Sequence, residues 1–416
     1  VSYRDGVYDI TDFKSKHAGG PKYFDMVNGG RLESFWSQYT DHMFDRDTLQ
    51  ILESYRIGNL HPNDVINDPL TTIQSNEYDI WENEPKRDNQ MRIMRLKPFL
   101  GEPHLELLGQ QYYTPNELFY VRNHFPVPDI SKDDYKLHLC LSTDKTAAKF
   151  DDVNDNWDIF DGDCVYSFNE LIDGNKFKQI EIDATLQCSG NRGGEMRDII
   201  GSKGSDCMQG FISNAKWKGV SLLDLLYKSG YESGKYSKYK YITFYGSDTD
   251  FSGIHYATSI PISHVLNEDN DVILAYQMNN EPLPPDHGYP MRVLIPGVAG
   301  CRSVKWLAKI QLTENEVDSI WQKKFYSPFG YRINEMPVQS IITEPINGKV
   351  ININDGDSTP IKGIAWSGAG RHIIKVECSV DNGNQWFEAE MNKSSDIKNT
   401  YQKEWGWTLW KINIPN

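Results

Sequence analysis

The chain has 416 residues, of which 43 are basic and 58 acidic, so its formal net charge at neutral pH is −15. This length exceeds one ordinary hydrophobic core and predicts two or three domains. The negative charge argues against nucleic-acid binding, since phosphate backbones would be repelled. No uninterrupted apolar stretch of about 18 residues occurs, so we expect no membrane-spanning helix. The sequence begins at Val1 inside a patterned segment, which predicts an N-terminal piece that was processed away or left out.

Residues 1 to 60 form a block with two histidines, each in a turn beside aromatic residues. His17 occurs in HAGG and His42 in YTDH. Two facing neutral imidazoles can hold haem iron from both sides, although ordinary surface or capping histidines would show the same pattern. The block resembles the cytochrome b5 module in HAGG, in the FWSQY aromatics and in the closing YRIGNL, with Ala18 where the module has proline. This resemblance implies an N-terminally short domain that binds a b-type haem through both histidines.

The rest of the chain divides by composition. Residues 61 to 97 are polar and acidic without sustained apolar periodicity, which predicts a linker. Residues 98 to 332 mix short β-rich runs with helical pieces and predict a large α+β domain, with an acidic surface insertion at 143 to 161. In residues 333 to 416, an alternating apolar run over 374 to 380 and a DNG turn predict a small β-sandwich, within which the chain stops.

The six cysteines are scattered and include no CxxC pair, which excludes a zinc ribbon and argues against a disulfide-stapled scaffold. Cys188 lies in TLQCSGNRGGEM, between an apolar run and a glycine-rich turn. A thiolate at this point would suit a soft metal. The alternative is a small buried side chain that ends a strand.

Several segments together resemble the eukaryotic sulfite oxidase family, in order and over essentially the whole chain. They include NELFYVRNHFPVP, TLQCSGNRGGEM, FISNAKWKGVSL, DHGYPMRVLIPGVAGCRSVKWL, WQKKFYSP and MPVQSIITEP. The resemblance implies a multidomain α+β protein with a cytochrome b5-like module, a mixed α+β molybdopterin domain and a C-terminally short immunoglobulin-like dimerisation domain. Nitrate reductases share the central domain but place the haem module after the β-sandwich and add a flavin domain. The domain order therefore favours the sulfite oxidase type.

The same resemblance implies site residues and a molybdenum cofactor. Cys188 corresponds to the thiolate ligand of molybdenum. Arg122 and Tyr326 join it as catalytic residues, because an arginine fork suits an oxyanion and a phenol can donate a hydrogen bond. Cationic and imidazole donors suit a phosphate-bearing pterin. The positions that hold the cofactor are His124, Cys188, Arg192, Asp248, His287, Arg292 and Lys305.

Three departures from the family pattern affect the substrate side. Gly193 replaces the second arginine of the family's GNRR, which would cost roughly 2 to 5 kcal/mol of binding for a doubly charged anion. Cys207 replaces a tryptophan of the pocket wall. This change reflects relaxed packing, or a thiol that approaches the metal and either ligates it or pairs with Cys188. The sequence also ends before a further pocket arginine of the family.

Two functions remain open at this point. The favoured one is an oxidoreductase that oxidises sulfite, or another small oxyanion or S-oxide. Its electrons would pass through the haem to cytochrome c, a basic partner suited to an acidic chain. The alternative is a catalytically degraded homologue that serves as a structural or accessory subunit of a larger assembly, such as a mitochondrial respiratory complex. We expect a homodimer, or a subunit of a larger complex, in the mitochondrial intermembrane space.

Overall fold

The computed structural model describes residues 1–17, 21–36, 41–64, 80–141, 163–200, 207–249, 253–327, 330–351, 358–392 and 403–415. Most of the HAGG turn, residues 65–79 of the predicted linker and the predicted insertion at 143–161 lie outside this part of the chain. Within it, none of the helices combines the length and the apolar character that a bilayer crossing requires.

The N-terminal unit combines a small sheet with short helices. Its strands are β1 (Ser2–Tyr3), β2 (Gly6–Tyr8) and β3 (Arg56–Asn59), paired in that order. Its helices are α1 (Lys22–Val27), α2 (Glu33–Trp36), α3 (Asp41–Phe44) and α4 (Arg46–Glu53), with a 3₁₀ turn at Thr11–Lys16. Asp45 caps α4, because its carboxylate accepts a hydrogen bond from the Thr48 amide at 2.8 Å. Tyr3, Phe24 and Leu52 belong to a separate hydrophobic core of this unit.

A three-stranded sheet lies at the start of the central domain. Its strands are β4 (Met91–Arg95), β5 (Leu100–Pro103) and β6 (Val121–Arg122), in the order β4-β5-β6. β4 lies within the range predicted as linker, residues 61 to 97, and Trp81 in the same range is buried. The latter part of that range is therefore ordered. Short apolar segments such as MRIM had no periodicity long enough to predict it.

Two sheets form the body of the central domain. In chain order their strands are β7 (Lys136–Cys140), β8 (Cys164–Ser167), β9 (Gln179–Gln187), β10 (Ile212–Ser221), β11 (Tyr241–Thr249), β12 (His255–Pro261), β13 (Ile273–Met278), β14 (Glu281–Pro282), β15 (Arg292–Leu294) and β16 (Leu307–Thr313). One sheet has the order β14-β13-β10-β9, with β15 also on β13, and the other has the order β12-β11-β16-β7-β8. All pairs are antiparallel except β16 with β7, which is parallel.

Short helices and turns connect these strands. They are α5 (Leu105–Leu108), α6 (Phe168–Ile172), α7 (Gly193–Ile200), α8 (Leu222–Lys228) and α9 (Ile262–Leu266), with 3₁₀ turns at Asn116–Leu118, Glu268–Asn270, Pro285–His287 and Gly300–Arg302 and a π-helical turn at Trp321–Phe325. Two helices start with serine caps. Ser167 and Glu170 form a reciprocal capping box on α6, and Ser221 accepts a hydrogen bond from the Asp224 amide on α8.

The C-terminal domain contains a four-stranded sheet and a two-stranded hairpin. Its strands are β17 (Gln339–Glu344), β18 (Ser358–Trp366), β19 (Glu377–Cys378), β20 (Phe387–Glu388), β21 (Glu390–Asn392) and β22 (Thr408–Pro415), ordered β17-β18-β22-β21 and β19-β20. The predicted alternation holds at Val376 and Cys378, which are buried, but Ile374 and Val380 are exposed. The alternation is short because the regular strand there has only 2 residues.

The central and C-terminal domains share part of their core. Leu108 and Ile212 of the central domain cluster with Trp366 and Trp407 of the C-terminal domain. The Trp407 indole N–H donates a hydrogen bond to the Tyr112 carbonyl at 2.8 Å. A buried apolar junction of this kind fixes the orientation of the two domains, since separating them would expose large aromatic surfaces.

Candidate active site

A pocket opens where strands of the central domain end. β6 contributes Arg122 to it and β11 contributes Asp248, while Cys188 follows directly on the end of β9. The pocket combines apolar walls with converging polar groups, which is the usual character of a ligand site. It brings together eight of the residues predicted for this site from the sequence: Arg122, His124, Cys188, Asp248, His287, Arg292, Lys305 and Tyr326.

Cys188 reaches the pocket because β9 ends one residue earlier. Its backbone amide donates to the Phe211 carbonyl at 2.9 Å, and its side chain is buried. The Gly190 amide lies 3.4 Å from the Cys188 sulfur and donates to it. The pKa of the thiol is lowered, first by a hydrogen bond from Cys207 and also by the positive charge of Arg122, against the opposing effect of burial. These donors favour the thiolate, which is the form that binds metals.

His124 and Tyr326 form a hydrogen-bonded pair on the pocket wall. The His124 Nε2 atom lies 2.6 Å from the Tyr326 hydroxyl oxygen. The His124 ring stacks on Tyr256, with ring centroids 4.6 Å apart. Burial lowers the pKa of His124 well below its ordinary value and raises the pKa of Tyr326. At neutral pH the pair is therefore an uncharged imidazole and an uncharged phenol, joined by a hydrogen bond whose donor is set by the tautomer of the imidazole.

The pocket lining also contains three buried polar side chains, Asp248, His287 and Arg292, and the half-buried Lys305. Burial raises the pKa of Asp248 and lowers the pKa of Lys305, so both groups are pushed towards their neutral forms. Burial also lowers the pKa of His287 to about 3 and that of Arg292 to about 10. The Arg292 guanidinium donates to the His287 carbonyl at 3.1 Å and to the Ser303 carbonyl at 2.8 Å. In each case burial is the largest cause of the shift, because the charged form of the group loses hydration there.

Two atoms of this set lack a hydrogen-bond partner among the described residues. They are Asp248 Oδ1 and Arg292 Nε, both buried. Buried polar atoms are nearly always hydrogen-bonded in folded proteins, so such atoms in a pocket mark where a polar ligand binds. A carboxylate suits the amide and amine edge of a pterin, and a guanidinium suits a phosphate. Together with the Cys188 thiolate, this carboxylate and this guanidinium fit a molybdenum-pterin cofactor.

Three supporting residues were missed in the sequence. Asp286 accepts hydrogen bonds from Arg87 at 2.8 Å through each oxygen and from Asn123 at 2.9 Å. Lys305 donates to the Asp286 carbonyl at 2.8 Å and to the Asn123 side chain. Asn123 and Asp286 are direct sequence neighbours of His124 and His287, and this adjacency was the available signal. Arg87 gave no such signal, because it lies within the range predicted as linker.

The residues after Cys188 lie away from the pocket lining. Arg192, with φ of 63°, pairs with Glu195 at 2.7 Å and is not among the described residues that line the pocket. Gly193 begins α7 and brings no charge to the substrate side. Cys207 is fully buried, belongs to the same apolar cluster as Cys188 and is not among the described residues that line the pocket.

The two histidines of the N-terminal unit face each other. The His17 and His42 ring centroids are 6.2 Å apart, and their planes differ by 38°. Two imidazoles that bind one iron from opposite sides would have ring centres about 6 Å apart. This distance is the sum of two metal–nitrogen bonds of about 2 Å each and about 1 Å from each nitrogen to the centre of its ring. Phe24 packs edge-on against His17, and Trp36 stacks on His42. The geometry fits bis-histidine haem ligation.

Family models match three consecutive parts of the chain. A cytochrome b5-like heme/steroid binding domain matches residues 1–61. An oxidoreductase molybdopterin binding domain matches residues 124–321. A Mo-co oxidoreductase dimerisation domain matches residues 330–416.

Characterised relatives match over the whole chain. The sulfite oxidase of Gallus gallus is 36% identical over 100% of this chain and 86% of its own length. The mitochondrial sulfite oxidase of Homo sapiens is 35% identical over 100% of this chain and 72% of its own length. Among solved structures, the sulfane dehydrogenase SoxCD from Paracoccus pantotrophus aligns with a TM-score of 0.61 and 25% identity, covering 84% of this chain and 85% of that one.

These matches confirm several predictions from the sequence. The multidomain α+β architecture, the oxidoreductase class and the molybdopterin and haem cofactors all agree with them. The matches run through the N-terminal, central and C-terminal parts in the predicted order. The chain belongs to the sulfite oxidase family of molybdohaem oxidoreductases.

Proposed function

We propose that this protein oxidises sulfite to sulfate and passes the electrons, one at a time, to cytochrome c. Sulfite gains one oxygen atom from water and releases two electrons and two protons. The observation that carries the proposal is the convergence of Cys188, Arg122 and the His124–Tyr326 pair in one pocket, beside buried polar atoms suited to a pterin. The named relatives support the choice of sulfite.

Within this proposal Cys188 is the protein ligand of molybdenum. The hydrogen bonds at its sulfur stabilise the thiolate, and the backbone bond to Phe211 fixes its position. His124, Asp248, His287, Arg292 and Lys305 hold the pterin and its phosphate. When bound, the molybdenum cofactor supplies two-electron oxygen-transfer chemistry, which no protein side chain provides. Arg192 was predicted in this group, but its salt bridge to Glu195 supports a role in shaping the loop.

Arg122 and Tyr326 serve the substrate in this proposal. The Arg122 guanidinium offers a fork of N–H donors to a sulfite or sulfate oxygen. The Tyr326 hydroxyl can donate its one proton to an anion in the pocket when His124 Nε2 is protonated and donates to the hydroxyl oxygen. Because Gly193 adds no second cation, we expect weaker sulfite binding than a pocket with two arginines would give.

His17 and His42 complete the electron path in this proposal. A b-type haem between two imidazoles has no open coordination position, so it suits one-electron transfer and not oxygen chemistry. The acidic chain favours a basic acceptor such as cytochrome c. We place the protein as a homodimer in the mitochondrial intermembrane space, which the C-terminal domain type and the mitochondrial relatives support.

The test is sulfite-dependent reduction of cytochrome c by the purified, molybdenum-loaded protein. We expect turnover by the wild type and its loss, together with loss of bound molybdenum, in Cys188→Ser. Cys378→Ser is the matched control, since Cys378 is a buried thiol of the C-terminal domain that lies outside the pocket. Full molybdenum content without sulfite turnover would contradict the proposal and favour the accessory-subunit alternative.

A further inference from the structure

Arg302 is a fully buried cation beside the pocket, and the proposed function gives it no role. It ends the 3₁₀ turn Gly300–Arg302, whose first two residues line the pocket, and its exposed fraction is 0%. Within the described part of the chain, its guanidinium donates to uncharged acceptors: the Thr258 hydroxyl at 3.1 Å, the Ile333 carbonyl at 3.2 Å, the Tyr326 carbonyl at 3.4 Å and the Gln322 side-chain oxygen. Burying a cation against neutral acceptors costs free energy, so the stability of the fold alone does not account for an arginine here.

One of these acceptors is the backbone that carries Tyr326. Tyr326 follows the π-helical turn Trp321–Phe325, and its amide donates to the Trp321 carbonyl at 3.0 Å. The Tyr326 carbonyl accepts hydrogen bonds from Arg302 and, at 3.0 Å, from the Ile333 amide. The Arg302 guanidinium carbon also lies 6.0 Å from the centre of the Tyr326 ring. Because π-helical turns are rare and occur often at functional sites, a side chain that fixes this one bears on the pocket.

Gln322 links Arg302 to the interior of the same turn. Its side-chain oxygen accepts hydrogen bonds from the Arg302 guanidinium and, at 3.1 Å, from the Ser259 amide. Its side-chain nitrogen donates to the Ser259 carbonyl at 3.3 Å and to Glu316 at 3.0 Å. The Gln322 amide thus makes all four hydrogen bonds of which it is capable. A buried network that is fully hydrogen-bonded holds its members in one arrangement.

The side chain of Tyr326 meets the Gly300–Arg302 turn by a second route. The Tyr326 hydroxyl oxygen lies 2.6 Å from His124 Nε2. The His124 ring stacks on Tyr256, and the Tyr256 hydroxyl donates to the Cys301 carbonyl at 2.8 Å. Cys301 directly precedes Arg302, so these contacts close a ring. One arm of the ring places His124, and the other, through Arg302, places Tyr326.

We propose that Arg302 is a positioning residue that holds the Tyr326 hydroxyl in the pocket, at hydrogen-bonding distance from His124, where it can meet a bound oxyanion. The inference rests on the proposed role of Tyr326 towards sulfite. Arg302 is not among the described residues that line the pocket, so it acts on the substrate through Tyr326. The position matters because moving a reacting group by about 1 Å can cost about 100-fold in rate.

Crystal structures of two variants test the positioning without any turnover. Arg302→Lys keeps the charge but replaces the planar fork with a single nitrogen, which does not reproduce the set of contacts. Arg302→Met removes every donor and fills the space with an apolar side chain of similar length. In both variants we expect the distance from His124 Nε2 to the Tyr326 hydroxyl oxygen to grow by about 1 Å or more, which breaks their hydrogen bond.

Arg371→Lys is the matched control for these structures. Arg371 also donates to a backbone carbonyl, that of Met336 at 3.0 Å, and neither residue is among the described residues that line the pocket. We expect this control to keep the wild-type distance between His124 and Tyr326.

A double-mutant cycle with Tyr326→Phe gives a second readout. We expect Arg302→Lys to lower kcat for sulfite about 30-fold or more, with little change in KM or in molybdenum content. The same substitution made in Tyr326→Phe should lower kcat by less than about twofold, because the hydroxyl that Arg302 positions is then absent.

Three results would overturn the proposal. One is a wild-type distance between His124 and Tyr326 in both Arg302 variants. Another is an equal loss of kcat with and without the Tyr326 hydroxyl, which would indicate a general packing effect. The third is failure of both variants to fold, since Arg302 would then be a structural residue. Because the crystal structures need no substrate, absence of sulfite turnover in the wild type would count against the proposed function and leave the structural test intact.

Discussion

Burial sets the charge state of the individual side chains in the pocket. His124 and His287 are both held neutral, because a buried imidazolium would lose its hydration, and for His287 this loss outweighs the attraction of the Asp286 carboxylate. Tyr326 keeps its proton for the same reason. The Cys188 thiol is the exception, since its sulfur receives hydrogen bonds that lower its pKa despite burial. The pocket thus combines one anionic sulfur with the cationic Arg122 and Arg292 and with neutral donors and acceptors.

Tyr326→Phe tests the hydroxyl at the residue scale. We expect kcat for sulfite to fall about 100-fold, because the variant lacks the proton that the hydroxyl presents to the substrate or product anion. KM and molybdenum content should change little, since the ring and its packing remain. Tyr276→Phe is the control, as it removes a phenol hydroxyl that bonds Gln179 away from the pocket. An unchanged kcat in Tyr326→Phe would remove this hydroxyl from the mechanism.

At the scale of elements, the pocket is made where segments distant in sequence end side by side. β6, β9 and β11 each deliver one functional side chain from their ends or from the next loop. The segment before β4 adds Arg87, which lies 199 residues before Asp286 and joins it by two hydrogen bonds. Although burial alone would raise the pKa of Asp286, the Arg87 guanidinium holds it below its ordinary value. This ion pair ties the predicted linker region to the cofactor side of the pocket.

Arg87→Ala tests that connection. We expect the free energy of unfolding of the central domain to fall by about 3 to 5 kcal/mol, because Asp286 would remain buried without its countercharge. Urea unfolding followed by tryptophan fluorescence provides the measurement. Adding Asp286→Asn to Arg87→Ala should restore part of the loss. If the double variant were no more stable than Arg87→Ala, the cost would not come from the unpaired carboxylate.

Gly193→Arg tests the start of α7. Restoring the cation that the family carries here should lower KM for sulfite by about 30-fold or more, in line with roughly 2 to 5 kcal/mol for such a contact. Met196→Arg is the matched control, since it adds the same charge at a side chain of α7 that is 52% exposed. Equal effects of the two variants would indicate a general charge effect and not a contact with substrate.

On the scale of the whole molecule, charge and domain order shape electron transfer. The net charge of −15 gives the protein a long-range attraction for basic partners, and this attraction is screened by salt. The N-terminal unit has a hydrophobic core of its own, separate from the core that the central and C-terminal domains share.

The rate of cytochrome c reduction should depend strongly on ionic strength. We expect kcat/KM for cytochrome c to fall about tenfold or more between about 10 mM and 150 mM salt, as the Debye length shrinks from about 30 Å to about 8 Å. Steady-state assays across this range provide the measurement. Ferricyanide, a small anionic acceptor, is the control and should show no such fall. A flat profile for cytochrome c would argue against electrostatic docking.

Local sequence was sufficient to predict much of this protein. The domain order and the residues around Cys188 were recognisable because ligand atoms, glycines and aromatic residues occur in fixed short motifs. The pocket then joined eight predicted residues, from Arg122 to Tyr326. Within the C-terminal domain the alternating pattern was less reliable, because a strand of 2 residues leaves Ile374 exposed despite its apolar character.

The sequence by itself determined which chemical groups are present and in which domain each lies, since motifs are local. Only the tertiary structure decided which groups touch. Arg87 reaches Asp286, Glu102 accepts a hydrogen bond from the Gly210 amide, and His124 meets Tyr326, although none of these pairs is close enough in sequence for a pattern to link them. The physical reason is that such contacts depend on how the sheets pair and pack. Burial then shifts the pKa of each side chain, so the protonation state depends on the surroundings as well as on the residue type.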